Sequence, residues 1–268
     1  MHIRPRGSWF SLDLADIWSY RELLYFLTLR DIKVRYKQTA IGVFWAILQP
    51  ALTTLIFAVV FKDVANFASS NVPYPLFVLS GLLVWLYVNN TISFSATSIV
   101  GNSPLVTKIY FPRLMMPLAS VFAGLIELVI GLVILLAVMI FYGVRFTPNV
   151  LLSPLFLILA IVLAVGVGTL TSALNVQFRD VKFALPFALQ IWMFSSPIFY
   201  PTDILSDSAK RLISFNPMTG ILSGFRSALF DQPFDWSLIW KAVAGTTLIL
   251  LVSILVFKHM EDDFADVI

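Results

Sequence analysis

From Leu114 to Tyr142 the chain carries one charged side chain, Glu127, and is otherwise almost entirely apolar. A helix of that length rises about 40 Å, more than the roughly 30 Å hydrocarbon layer of a bilayer. Five further runs repeat the pattern: 40–61, 76–100, 150–175, 183–200 and 238–257. Such runs close their backbone hydrogen bonds internally only as helices when lipid is the solvent. Composition agrees, with 59% hydrophobic and 12% charged residues, where a soluble domain has about half and about a quarter. The expected fold is an all-α membrane protein of six transmembrane helices over residues 40–258. The first run is too long for a signal-peptide core and no small-residue cleavage pattern follows it, so it reads as an uncleaved span.

Charge then sets the expected topology. Seven Lys and Arg lie in segment 1–39, and Lys108, Arg113, Arg179 and Lys182 follow the second and fourth spans. The short opposite loops hold only Lys62 and Arg145. Basic residues favour the cytoplasmic side, so both termini are expected there, including the acidic tail 259–268. Several chemistries are excluded or disfavoured. The sequence has no cysteine and its histidines, His2 and His259, lie near opposite ends, which removes thiol catalysis and disfavours a histidine or zinc centre. It also lacks a G-x-x-x-x-G-K-[ST] string, so it supplies no P-loop for a nucleotide. Charges are too few elsewhere for nucleic acid to be a partner.

Four features can carry function. "RDIKVRYKQT" (30–39) reads as part of a helix from Tyr20 onward, with Arg30, Lys33 and Lys37 on one face. Tyr25, Leu29, Ile32 and Tyr36 form an apolar stripe beside them, and Asp31 and Arg35 make an i, i+4 pair. Such an amphipathic interface helix can lie along lipid headgroups or against a protein. "NSPLVTKIYFPR" (102–113) reads as a capped two-turn helix at 104–111, stopped by Pro112 and exposing Lys108 and Tyr110. Glu127 is the one acid inside a span; such residues are functional candidates by default. Here a packing role, bonded to a Ser, Thr or Asn, is the better reading, since no span offers a basic partner. The aromatics Trp85, Tyr87, Phe94, Trp192, Phe199 and Tyr200 lie beside the amides Asn89, Asn90 and Gln190. Each ring is more readily packing or an interface belt, but together they suit a path for sugars. "GVGTLTSA" (166–173) is suited to close helix packing, and 203–230 reads as two short helices that either enter the outer leaflet and return or lie flat on the membrane surface.

Three strings, "RDIKVRYKQTAIGVFWAILQP" (30–50), "KIYFPRLMMPLA" (108–119) and "LNVQFRDVKFALPFALQIWMFSSPIFYP" (174–201), together resemble the membrane subunit of a type-2 ABC exporter of the O-antigen and teichoic-acid polysaccharide branch. The resemblance implies a homodimer working with two copies of a separate cytoplasmic ATPase, which binds the ATP and Mg; this chain would hold no cofactor and catalyse nothing. It implies a polyprenyl-pyrophosphate-linked glycan as cargo, in a bacterial inner membrane. Carried onto this sequence, 20–38 (Arg30, Lys33, Arg35, Lys37) becomes the interface helix. Pro104–Phe111 becomes the coupling helix, with Lys108, Tyr110, Phe111 and Arg113 as ATPase-coupling residues. The 203–230 region becomes outer gate helices, and spans one, two and five line the path. Permeases for drugs or lipids, and a membrane glycan transferase, are the competing readings.

Overall fold

A computed structural model of the chain describes residues 18–36, 44–60, 72–108, 110–261 and 264. Among these there are ten α-helices and no strand: α1 (Arg21–Tyr36), α2 (Phe44–Val60), α3 (Tyr74–Ser98), α4 (Ser103–Lys108), α5 (Met115–Phe141), α6 (Ser153–Gln177), α7 (Val181–Phe194), α8 (Asp207–Ile213), α9 (Pro217–Phe230) and α10 (Trp236–Glu261). Lys37, Lys62, residues 40–43, and most of the acidic tail, on which several expectations rest, lie outside the described residues.

Four segments are long and apolar enough to cross a membrane: Tyr74–Ser98, Met115–Phe141, Pro148–Gln177 and Trp236–Glu261. They match the second, third, fourth and sixth expected spans. The other two expected spans are shorter apolar helices. Helix α2 runs through Pro50. Helix α7 stops at Phe194, short of the expected Tyr200, because Ser195 and Ser196 lead into Pro197, whose ring disfavours a helical residue before it and supplies no N–H.

Helix α3 is the hub, packing against α2, α5, α6, α7 and α9. Of its most apolar window 72% is buried, against 22–28% for the other three long helices. Those three turn Val129, Val133, Leu155, Ile158, Leu248 and Leu251 outward. Long helices apolar on both their inner and outer faces suit lipid, and the chain is a multi-pass membrane protein. Close packing at the hub depends on the expected small-residue stretch. A Cβ on Gly168 would lie 2.9 Å from the Ser95 Cβ, and one on Gly166 would lie 3.2 Å from Leu250 backbone, so bare backbone lets α6 approach α3 and α10.

Two apolar cores result. The larger gathers α3, α5, α6, α9 and α10 around Trp85, Tyr87, Ile221 and Phe225. The smaller lies beyond the last turn of α3. It joins Leu27 of α1, Val106 of α4, Phe111, Met115 and Met116, Val176 of α6, and Phe257 and Met260 of α10. On α9 the apolar residues spaced i, i+3, i+4, Ile221, Leu222, Phe225, Ala228 and Leu229, are buried, and so are Gly220, Gly224, Arg226 and Ser227 around the rest of the helix. That helix starts with Asn216 as N-cap, accepting from the Met218 N–H, and Pro217 at the first position. It ends at Asp231, in the left-handed conformation that favours Asn, Asp or Gly. No residue of α8 is buried.

Candidate functional site

The short helix α4 follows a tight turn at Val100–Asn102, which the Asn102 amide closes by donating to Ser98 O at 2.6 Å. It covers six residues and ends at Lys108, a turn earlier than expected. Val106 faces the smaller core, while Thr107 and Lys108 face outward. Tyr110 is 79% exposed and its neighbour Phe111 only 6%. Of the four residues assigned to coupling, Lys108 and Tyr110 are therefore free to meet a partner. Phe111 is committed to the core, and Arg113 turns back onto Glu261 at the end of α10.

Helix α1 lies against α5, with Tyr20, Leu23, Leu24 and Leu27 packed into the smaller core. This i, i+3, i+4, i+7 face lies beside the expected Tyr25–Tyr36 stripe, of which Tyr25 is 60% exposed and Leu29 and Ile32 half-buried. The expected Asp31–Arg35 pair is replaced. Asp31 pairs with Arg30 at 2.8 Å and accepts from the Ser120 hydroxyl at 3.3 Å. Arg30 also donates to Asn102 Oδ1 at 2.7 Å, tying α1 to the turn before α4.

Arg35 reaches inward instead. Its guanidinium donates to Ser120 O at 3.2 Å and to Glu127 Oε1 at 3.4 Å, and stacks 3.9 Å from the Phe94 ring centroid. Glu127 accepts a further bond from Asn90 Nδ2 at 3.0 Å, and Asn89 donates to Asn90 at 3.3 Å. The expected amide partner is present, but the expected lack of a basic one is overturned. The base comes from α1, whose long side chain reaches into the bundle, where a low dielectric strengthens attraction to a carboxylate. Beside the pair is a cavity of about 30 Å³ lined by Gln49, Pro50, Leu83, Leu86, Tyr87, Asn90, Glu127 and Leu128, room for one or two waters. Lys33 is exposed. Among the described residues no three His, Cys, Asp or Glu side chains cluster as a metal site would require.

A family model described as ABC-2 type transporter matches residues 22–230, from the second residue of α1 to the last of α9. The chain belongs to the ABC-2 type transporter family. It is 27% identical over 257 residues to the O-antigen export system permease protein RfbA of Myxococcus xanthus, covering 94% of this chain and 98% of that one. To the protein of the same name from Klebsiella pneumoniae it is 25% identical, covering 92% and 95%. To the polysialic acid transport protein KpsM of Escherichia coli it is 24% identical, covering 88% and 92%.

Within this ABC-2 chain the expected path aromatics divide. Trp85, Tyr87 and Phe199 are buried. Trp85 meets Trp192 edge-on at 5.6 Å, and Phe199 stacks on Phe57 at 3.8 Å. Trp192 donates to Asn216 Oδ1 at 2.9 Å, so it holds the start of α9. Phe94 is exposed, and Asn89, Asn90 and Tyr200 are half-buried.

Sequence reasoning missed Arg226. This fully buried cation on α9 donates to Pro197 O at 2.6 Å, Ile198 O at 2.8 Å, Phe77 O at 2.9 Å and Ser80 Oγ at 3.3 Å. It lies 3.6 Å from the Phe77 ring centroid. Gly81 makes the space, since a Cβ there would collide with the guanidinium. The available signal was a base on the apolar face of α9, four residues after Leu222 and three before Leu229.

Proposed function

We propose that this chain is the membrane subunit of an ATP-driven exporter that moves a lipid-linked polysaccharide of O-antigen or capsule type across the bacterial inner membrane. Membership of the ABC-2 family and relatives named for O-antigen export and polysialic acid transport over nearly their whole length support the cargo. A partner ATPase supplies the hydrolysis, binding ATP and Mg, because this sequence has no P-loop. Two copies of the chain and two of the ATPase form the working unit. Helices α2 and α7 complete a six-span bundle whose termini are cytoplasmic, and α8 and α9 form the outer gate.

The observation that carries the coupling reading is the two-sided build of α4: Val106 is seated in the core while Lys108 and Tyr110 project from it. A short rod anchored on one side transmits a push without bending into solvent. ATP-driven closure of the ATPase pair presses on Lys108 and Tyr110, the smaller core passes the displacement to the long helices, and access along the path changes. Arg30 and Arg35 brace α1 against this junction. Phe94, Asn89, Asn90 and Tyr200 are the path residues that keep accessible surface within one chain; the Phe94 face away from Arg35 and the Tyr200 ring can stack on sugars, and the two amides can exchange their mutual bonds for sugar hydroxyls.

The test is the double variant Lys108→Ala/Tyr110→Ala in the reconstituted complex. Coupling free energies of about 1–3 kcal/mol correspond to roughly 5- to 150-fold effects, so transport and the permease's stimulation of ATP hydrolysis should fall at least tenfold, with thermal unfolding unchanged. Undiminished transport would sink the coupling role. Deletion of the chain in its native host should remove a surface glycan; retained glycan with altered drug or lipid export would sink the cargo assignment.

A further inference from the structure

Arg113 was expected to be a docking contact, yet the chain uses it internally. Its guanidinium donates to the main-chain oxygen of Glu261, the last residue of α10. The Arg113 main-chain N–H also donates to Glu261, to its Oε1 at 3.2 Å. The last carbonyls of a helix have no intrahelical donor and form its negative end, so a guanidinium there satisfies both needs. Phe264, past the end of α10, lies under the same group, with the Arg113 guanidinium 5.9 Å from its ring. Phe264 is buried and meets Phe257 edge-on at 5.4 Å.

The apolar contacts run the same way. Val106 of α4, Phe111 beside it, and Phe257 and Met260 of α10 belong to one core. A segment of a few residues thus joins the outward-facing helix to the end of α10 by apolar packing and by a polar clasp of two hydrogen bonds that Arg113 donates to Glu261. The clasp reaches beyond the 22–230 region that matches the ABC-2 family.

Building on the coupling role proposed for α4, we infer that Arg113 is a positioning residue that fastens α4 to the end of α10, so that the two move as one body when the ATPase presses. Force then enters the bundle through its last helix as well as through α3 and α5, which flank α4 in sequence. The carboxylate of Glu261 matters less than its main-chain oxygen, because the guanidinium bonds the latter.

The absence of native cysteine allows a direct test. Spin labels are placed at Thr107→Cys on α4 and Leu255→Cys on α10, both exposed positions. The complete complex with its ATPase is then measured without nucleotide and trapped with ATP. With one labelled and one unlabelled copy of the chain in each complex, one narrow within-chain distance distribution, the same in both states, is expected with Arg113 present. Arg113→Ala should broaden it or make it shift with ATP, and should lower transport per ATP hydrolysed about tenfold; Arg113→Lys, which keeps one donor, should restore part of both. A distance that shifts with ATP while Arg113 is intact overturns the inference. So does an Arg113→Ala distribution as narrow as the original. If Arg113→Ala does not assemble, the comparison of nucleotide states with Arg113 intact decides alone. Should Lys108→Ala/Tyr110→Ala transport normally, the coupling role itself fails. If that pair uncouples while Arg113→Ala does not, only the clasp fails.

Discussion

Arg226 and Arg35 are both withdrawn from solvent, at opposite ends of the hub helix α3, but they are held in different ways. Arg226 is ringed by three main-chain oxygens and a serine hydroxyl, and among the described residues no carboxylate pairs with it. Arg35 faces a carboxylate, Glu127, shared with Asn90, and its side chain is 8% exposed against 21% for the acid. Carbonyl ligands are part of the backbone and come free only if α3, α9 or the 197–198 segment separate. A carboxylate on a single side chain can release its partner by a rotamer change. The first arrangement is a fastener and the second is a contact that can be exchanged.

The largest expected effect breaks the fastener. Arg226→Ala leaves the buried Pro197 and Ile198 oxygens without a donor, while Phe77 O keeps the Ser80 hydroxyl, and each such loss costs about 1–3 kcal/mol before relaxation or water entry. Allowing for partial rescue by water, a destabilisation of about 3–5 kcal/mol is expected, read as a lowered unfolding midpoint in detergent. Arg226→Lys should recover less than half, because an ammonium cannot spread its donors as the planar fork does. Full recovery by lysine would show that charge, not geometry, holds the site.

A smaller effect is expected from the exchangeable contact. In a double-mutant cycle over Arg35→Ala and Glu127→Gln, the coupling energy should be about 1–2 kcal/mol, within the range for residues in one network. The same cycle should alter transport per ATP, whereas Arg226 variants that still fold should not. A coupling energy near zero would reduce the pair to a chance proximity of long side chains. The smallest effect is expected at Lys33, on the exposed side of α1. Lys33→Ala should change stability by less than about 0.5 kcal/mol and leave transport intact; a larger change would point to an outside partner for that face.

The long helices were legible because lipid leaves a chain few choices. Runs of apolar residues of the right length can only be helices, and α3, α5, α6 and α10 fall where the sequence places them. The buried face of α9 was legible for the same reason, through its i, i+3, i+4 pattern. Pairings were not. Asp31 and Arg35 have ideal spacing for each other, yet Asp31 pairs with its neighbour Arg30 and accepts from Ser120 of α5, while Arg35 turns to Ser120 and Glu127 of α5, because such contacts outweigh a few tenths of a kcal/mol of helical pairing. The role of Arg226 was hidden for a related reason: its ligands are main-chain oxygens, which every residue has and no sequence marks. Tyr110 and Phe111 look equivalent as letters, and only the turn at Pro112 decides which of them faces out.

The separation of the two apolar cores has an evolutionary consequence. Residues that share no partner and lie far apart change free energy almost independently. The smaller core, with α1, α4 and the ends of α6 and α10, can therefore drift to match a new motor protein while the larger one keeps its shape. The same independence lets the larger core diversify while the smaller one is kept. Swapping one half between relatives should be tolerated where the seam falls on α3 between Ile92, its last residue in the larger core, and Ile99, which belongs to the smaller one, so that the two cores are inherited separately.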